Sequence, residues 1–321
     1  EGGVTNMADA YAKLTGKPGI AMVTRAPGAC NASIGVHTAM QDSSPMVIFI
    51  GQVARDQEYR EAFQEVDYHQ FYGALCKWVV QLDDADRIPE LVSQAFHRAM
   101  SGRPGPVAVA MPEDMLRDLT EVEDAAPFKI ARPGAAQDDM DALRELLAGA
   151  EKPIAILGGG GWSAEATANF ASFAAANELP VSLSFRCQDF IDNEHPCYIG
   201  ELGTTVNAKL ATHIKEADLL LVVGARMGEM TTSIYSLLDI PTPKQKLVHV
   251  FMEPNEIGRV YTPTLPIISS MESFAKAALA MKPVNNPTWA NWTKQLRAEQ
   301  LDNWKPTLPM SGDLDMHVVM D

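Results

Sequence analysis

Short, continuously apolar runs at 20–23, 46–50, 77–81, 107–110, Pro153–Leu157, 181–185, Leu219–Val223, 247–251 and 266–269 read as buried strands. Helix-patterned segments alternate with them. A helix stops at Gly16, and after a sharp turn at Pro27-Gly28 a small-residue helix covers 31–41. In Ile88–Met100, Leu91, Val92, Ala95, Phe96 and Ala99 recur at helical spacing, and further helices are expected over 140–150 and 164–177. Strands alternating with helices predict an α/β chain with two doubly wound parallel sheets. In the first, the glycine turn follows the carboxyl end of the opening strand, where ligands bind in open α/β sheets. The stretch 121–137, acidic and then rich in Ala, Pro and Gly, reads as a linker between domains at 1–120 and 138–283, and 284–321 reads as a second linker.

Length agrees with this division, since 321 residues suit about two domains of ~150 residues. With 46% hydrophobic and 21% charged residues, the chain can bury sizeable cores. A net charge of −15 argues against nucleic-acid and anionic-membrane partners, because phosphate surfaces need clustered Lys and Arg. An anionic ligand must then be held by local features. No apolar run approaches the ~20 residues of a membrane helix. Cys30, Cys76, Cys187 and Cys197 form no C-x-x-C pair or zinc spacing and read as reduced thiols of a cytoplasmic protein. The seven histidines are scattered without metal spacing. The chain starts at Glu rather than Met, and truncation at both ends is expected.

One glycine run invites a nucleotide reading. Gly159-Gly160-Gly161-Trp162-Ser163-Ala164 satisfies G-x-G-x-x-A after a strand. Nicotinamide use also needs an acidic residue at the end of the next strand, but that strand ends Leu183-Ser184-Phe185-Arg186 and Asp189 comes late. A vestigial nucleotide site and a flavin or ADP site both stay open.

The opening residues are more specific. Glu1, Met7-Ala8-Asp9-Ala10-Tyr11-Ala12, Thr15-Gly16-Lys17-Pro18-Gly19, Arg25-Ala26-Pro27-Gly28-Ala29-Cys30-Asn31 and Gly51-Gln52-Val53 follow one another in that order. The series resembles the pyrimidine-binding domain of thiamine-diphosphate (ThDP) enzymes, in particular the acetolactate synthase family. Phe63-Gln64-Glu65, the turn Gly102-Arg103-Pro104-Gly105-Pro106, and Glu256-Ile257-Gly258-Arg259 extend the likeness. It implies a ThDP pyrimidine-binding domain followed by a Rossmann-like central domain. It further implies that Glu1 hydrogen-bonds the aminopyrimidine and activates the cofactor, with Pro27, Gly28, Asn31 and Gln52 as ThDP contacts and Phe63 and Gln64 on the substrate side. Arg103, Gly159, Gly160, Gly224 and Arg226 become candidate FAD or nucleotide contacts. Two departures speak against flavin: Glu201-Leu202-Gly203-Thr204 stands where the family usually has Gly-Met-His-Gly, and Arg226-Met227-Gly228-Glu229-Met230 where it has Arg-Phe-Asp-Asp-Arg.

In this family Mg²⁺ and the diphosphate are held by Gly-Asp-Gly and a later Asn-Asn in a third domain. Gly312-Asp313-Leu314 lacks the second glycine, and Asn285-Asn286 has no Gly-Asp-Gly before it, so no metal ligand is expected in these residues. The resemblance implies active sites formed between subunits of a homo-oligomer, and no turnover by the 321 residues alone. Decarboxylase-type relatives carry adjacent histidines in the first domain and this chain has none, so the resemblance implies a carboligase rather than a simple decarboxylase. The expected reaction is decarboxylation of a pyruvate-like 2-oxo acid and transfer of its two-carbon unit. Donors such as oxalyl-CoA or sulfoacetaldehyde, and a non-catalytic nucleotide-binding protein, are the alternatives.

Overall fold

The computed structural model describes residues 1–305. Two compact units divide the chain, Glu1–Arg132 and the remainder from Pro133. Each is built on its own parallel sheet.

The first unit runs α1 (Gly2–Thr15), β1 (Gly19–Val23), α2 (Pro27–Asp42), β2 (Met46–Gln52), α3 (Tyr68–Tyr72), β3 (Trp78–Gln81), α4 (Ile88–Met100) and β4 (Pro106–Pro112). Its strands pair in the order β1-β2-β4-β3, all parallel. Side chains alternate across the sheet: Ile48, Ile50, Ala108 and Ala110 join the core with α1, α2 and α3, while Val47, Phe49, Val107 and Val109 pack with α4. Both faces are therefore apolar, which is why the strands read as continuous runs.

Helix α1 ends where Gly16 takes a left-handed conformation (φ 66°) and its N–H bonds Ala12 O. Its partner α2 begins at Pro27, earlier than the sequence pattern suggests. Proline has no N–H to leave unsatisfied and its φ suits the first helical turn, so Pro27-Gly28 opens the helix instead of forming a separate turn. The two helices approach at backbone distance because the facing residues are small. A Cβ on Gly35 would lie 2.3 Å from Thr5 Oγ1 and 2.7 Å from Thr5 C, and one on Gly19 would lie 2.1 Å from Ala8 O. The buried Thr5 hydroxyl donates to Ala32 O at 3.0 Å.

The second unit runs α5 (Gln137–Ala148), β5 (Pro153–Leu157), α6 (Ala164–Ala176), β6 (Val181–Leu183), β7 (Tyr198–Glu201), α7 (Ala208–Glu216), β8 (Leu219–Val223), β9 (Lys246–Phe251), β10 (Leu265–Ile268), α8 (Met271–Ala280) and α9 (Ala290–Asn303). The order β10-β9-β8-β5-β6-β7 is parallel throughout and reverses direction at β5, the doubly wound arrangement. No helix among the described residues is long and apolar enough to cross a membrane. All four cysteines are free, and only Cys30 is exposed.

Several elements differ from the sequence pattern. Helix α5 starts within the segment read as linker, with Asp138 and Asp139 in its first turn, where negative charge suits the helix dipole. Helix α9 occupies 290–303, inside the second segment read as linker. It packs on β7 through Leu296 and Gln300, and buried Trp289 just before it donates Nε1–H to Asn177 O at 3.0 Å. Its polarity hid it, since only a narrow face is buried. Gly312 and Asp313 lie outside the described residues.

Gly35→Ala is expected to destabilise the first unit by about 1–3 kcal/mol through overpacking against Thr5. Urea denaturation checks this, and an unchanged midpoint would mean that α1 and α2 are not held so closely.

Candidate functional site

At the carboxyl ends of β1 and β2, four chain segments converge. Glu1 is the residue preceding α1, and its main-chain O accepts from Thr5 N at 3.2 Å. Its exposed carboxylate takes a hydrogen bond from Asn31 Nδ2 at 3.2 Å. Between them lies Gly28, where a Cβ would reach Thr24 Cγ2 at 2.7 Å and Glu1 Cγ at 3.4 Å. The close approach to Thr24 is what favours glycine here, while the distance to Glu1 is an ordinary van der Waals contact. The structure thus brings Glu1, Gly28 and Asn31 together, with Pro27 at the start of the same helix.

The turn is anchored from below by two tyrosines of α3. Tyr72 Oη donates to Ala29 O at 2.6 Å and Tyr68 Oη to Gly51 O at 3.0 Å. Burial raises both phenols, Tyr68 to about 12, so each remains a protonated donor at neutral pH. Gln52 lies 5% exposed and its amide is committed on both sides: Nε2 donates to Val66 O at 2.8 Å and Oε1 accepts from Val53 N at 3.0 Å. Its side chain ties the 53–67 loop to β2. In that loop the Glu65 carboxylate accepts from Tyr59 N and Ala62 N, and Tyr59, Glu61 and Gln64 have positive φ (62°, 54° and 66°). Such left-handed non-glycine residues are strained and concentrate at ligand sites. Phe63 stands 78% exposed at the loop's tip, and Gln64 Oε1 meets Arg25 Nε at 3.5 Å.

Arg103 lies at the other end of the sheet, in the turn before β4. It donates Nε–H to Ser43 Oγ at 2.8 Å and an Nη2–H to Met40 O, so it closes the carboxyl end of α2. A cation suits that end of the helix dipole.

In the second unit, the glycines bring β5 and β8 into backbone contact just beyond their carboxyl ends. A Cβ on Gly159 would lie 2.0 Å from Gly224 O, and one on Gly224 2.4 Å from Gly158 O. Both have positive φ, 72° and 75°. Gly160 is exposed. Arg226 is paired: its Nε donates to buried Glu256 Oε1 at 3.1 Å, and Arg259 Nη1 reaches the other oxygen at 3.5 Å. Nearby, His249 Nε2 lies 2.9 Å from Ala225 O. A carbonyl can only accept, so Nε2 carries the proton.

Among the described residues, no group of three or more His, Cys, Asp and Glu side chains could hold a metal ion. Sequence reasoning missed Tyr68, Tyr72 and the role of Arg25. The tyrosines do carry a signal, four residues apart as one helical face requires.

Two parallel-sheet α/β units, with the Glu1 carboxylate beside the first turn of α2 at the carboxyl edge of the first sheet, place the chain among α/β proteins whose ligands bind beyond the carboxyl ends of the strands. Residues 1–71 match the thiamine pyrophosphate enzyme N-terminal TPP binding domain, and residues 140–278 match the thiamine pyrophosphate enzyme central domain. The chain belongs to the thiamine pyrophosphate enzyme family. It is 32% identical over 317 residues to the acetolactate synthase large subunit of Parasynechococcus marenigrum (strain WH8102), covering 96% of this chain and 50% of that one. Acetolactate synthase isozyme 2 large subunit of Escherichia coli (strain K12) is 30% identical over 95% of this chain and 54% of its own. Glyoxylate carboligase of Escherichia coli O157:H7 is also 30% identical, over 87% and 46%. The chain spans about half the length of the curated relatives it matches.

Burial depresses the basicity of His249, outweighing the opposing effects of Ala225 O and Glu256. The unfolded chain then binds this proton more readily. The resulting stability is full above the ordinary histidine value of about 6.5 and is lost as pH falls through it toward the folded-state value. His249→Gln should flatten the fall in urea midpoint between about pH 7 and pH 5. An equally steep fall in the variant would assign the pH dependence elsewhere.

Proposed function

We propose that this chain belongs to a ThDP-dependent, acetolactate-synthase-like carboligase that decarboxylates a pyruvate-like 2-oxo acid and transfers the two-carbon unit to a carbonyl acceptor. The observation that carries the reading is the Glu1 carboxylate held by Asn31 beside the glycine-lined opening of α2. These residues fit the aminopyrimidine: an exposed carboxylate supplies an acceptor for a ring N–H, and Gly28 leaves the backbone bare beneath it. ThDP, when bound, supplies an acidic carbon and an electron sink for decarboxylation and group transfer.

Glu1 would hold the proton at the pyrimidine ring nitrogen of bound ThDP, with Asn31 orienting that carboxylate. Pro27 and Gly28 would pack against the ring. Gln52 acts as a positioning residue that fixes the 53–67 loop, while Phe63 and Gln64 line the substrate side. Among the described residues, none is grouped to hold Mg²⁺. Flavin is not assigned either, since Gly159 and Gly224 are used in mutual packing and Arg226 is paired with Glu256. A homo-oligomer whose active site combines two subunits is the assembly expected for such an enzyme, with cytoplasm as its compartment. A glyoxylate-type donor is the second reading, favoured by 30% identity to glyoxylate carboligase, equal to that with acetolactate synthase isozyme 2.

The test supplies the protein, expressed with its full reading frame, with ThDP, Mg²⁺ and pyruvate or glyoxylate, and identifies the products. Acetolactate from pyruvate supports the first reading, and product from glyoxylate alone supports the second. Bound ThDP with neither substrate consumed would overturn both. In the same protein Glu1→Gln should lower kcat by about 10²–10⁴, the usual scale of lost acid-base catalysis, with an unchanged circular dichroism spectrum. Full activity in the variant would remove Glu1 from the mechanism.

A further inference from the structure

We propose that Arg25 binds an anionic group that the substrate keeps through the reaction, a carboxylate on the acceptor or a second acidic group on the donor, and so sets substrate specificity. The inference rests on the ThDP reading above and deepens it.

Arg25 occupies the turn between β1 and α2. Its main-chain O accepts from Gly28 N at 3.0 Å, and a Cβ on Gly51 would lie 3.3 Å from its N, so the residue sits over the carboxyl end of β2. Gly28 in turn abuts Glu1. The arginine and the glutamate therefore flank one short turn. The guanidinium is steered by two groups from separate segments: Gln64 Oε1 faces Nε at 3.5 Å and Glu113 Oε2 faces Nη1 at 3.3 Å. Glu113 is itself tied to the sheet, with its N–H donating to Gln52 O at 3.1 Å.

Both side-chain contacts are long, and Glu113 is more than half exposed, so the pair is weak and readily rearranged. Nη2 makes no hydrogen bond to the described residues, and the planar fork suits a carboxylate. Arg55 offers a contrast, because its guanidinium is taken up by Asp114, Asp118 and Asp83 O. In a chain of net charge −15, a partly engaged cation beside the candidate site attracts an anionic substrate.

Chemistry decides which anion. A cation bound to the carboxylate that leaves as CO₂ would stabilise the ground state and oppose its loss. The same cation on a retained anion raises affinity without that penalty. Gln64 and Glu113 are then positioning residues that aim the fork.

The test uses the protein with its full reading frame, ThDP and Mg²⁺. Arg25→Gln should raise KM for an anionic acceptor about tenfold to a hundredfold, the scale of a lost charged hydrogen bond, with little change in kcat. A neutral aldehyde acceptor of equal length should be unaffected, and Arg25→Lys should recover part of the loss. If the rise appears only with a dicarboxylic donor, the retained anion is on the donor. Equal effects on charged and neutral substrates would overturn the proposal. ThDP affinity, read from tryptophan fluorescence before substrate is added, should match in both proteins. Failure of the unsubstituted protein to bind ThDP would overturn the underlying reading, and this inference with it, at a distinguishable step.

Discussion

The close approach of α1, α2 and β1 is the constraint on which the first unit depends. Helices normally pack 8–10 Å apart, and the distance is set by the side chains between them. Here Gly35 lets α2 meet the main chain of α1 at Thr5, and Gly19 lets β1 meet it at Ala8. The consequence reaches the site directly. Glu1 precedes α1 and Asn31 lies in the second turn of α2, and the close helix pair lets the two share a hydrogen bond. Tyr72 and Tyr68 hold the start of α2 and the end of β2 through buried donors that burial keeps protonated.

The second unit uses the same means for a different end. Gly158, Gly159 and Gly224 let the loops after β5 and β8 close on each other at the topological switch of the sheet. There Arg226 and Arg259 share the buried Glu256. Removing either arginine would leave a buried carboxylate short of a partner, which is costly. The first unit instead has Glu1, Gln64 and the Arg25–Glu113 pair at the open end of its strands, held by long, weak contacts.

Much of the fold was legible. Buried parallel strands are apolar on both faces and stand out as runs, so β1, β2, β5, β8 and β9 needed only local reading. Helix α9 and β7 were not legible because each depends on the other: α9 buries Leu296 and Gln300 against β7, while its remaining surface is polar. The start of α2 was obscured for another reason. Pro-Gly is a breaker in a helix interior and a good opening in its first turn, and which applies depends on what precedes it.

The sequence by itself determined the alternation of strands and helices and the family-specific order of Glu1, Pro27-Gly28, Asn31 and Gln52, because those signals are local or carried by motif wording. Tertiary structure alone decided what the side chains touch. Arg25 meets Gln64 and Glu113 across 39 and 88 residues, and Tyr72 meets Ala29 across 43. Gln52 is buried, with its amide bonded to Val66 across 14 residues and to Val53. Such pairings are set by sheet order and by the distance between packed elements, and neither hydrophobic periodicity nor spacing along the chain encodes them.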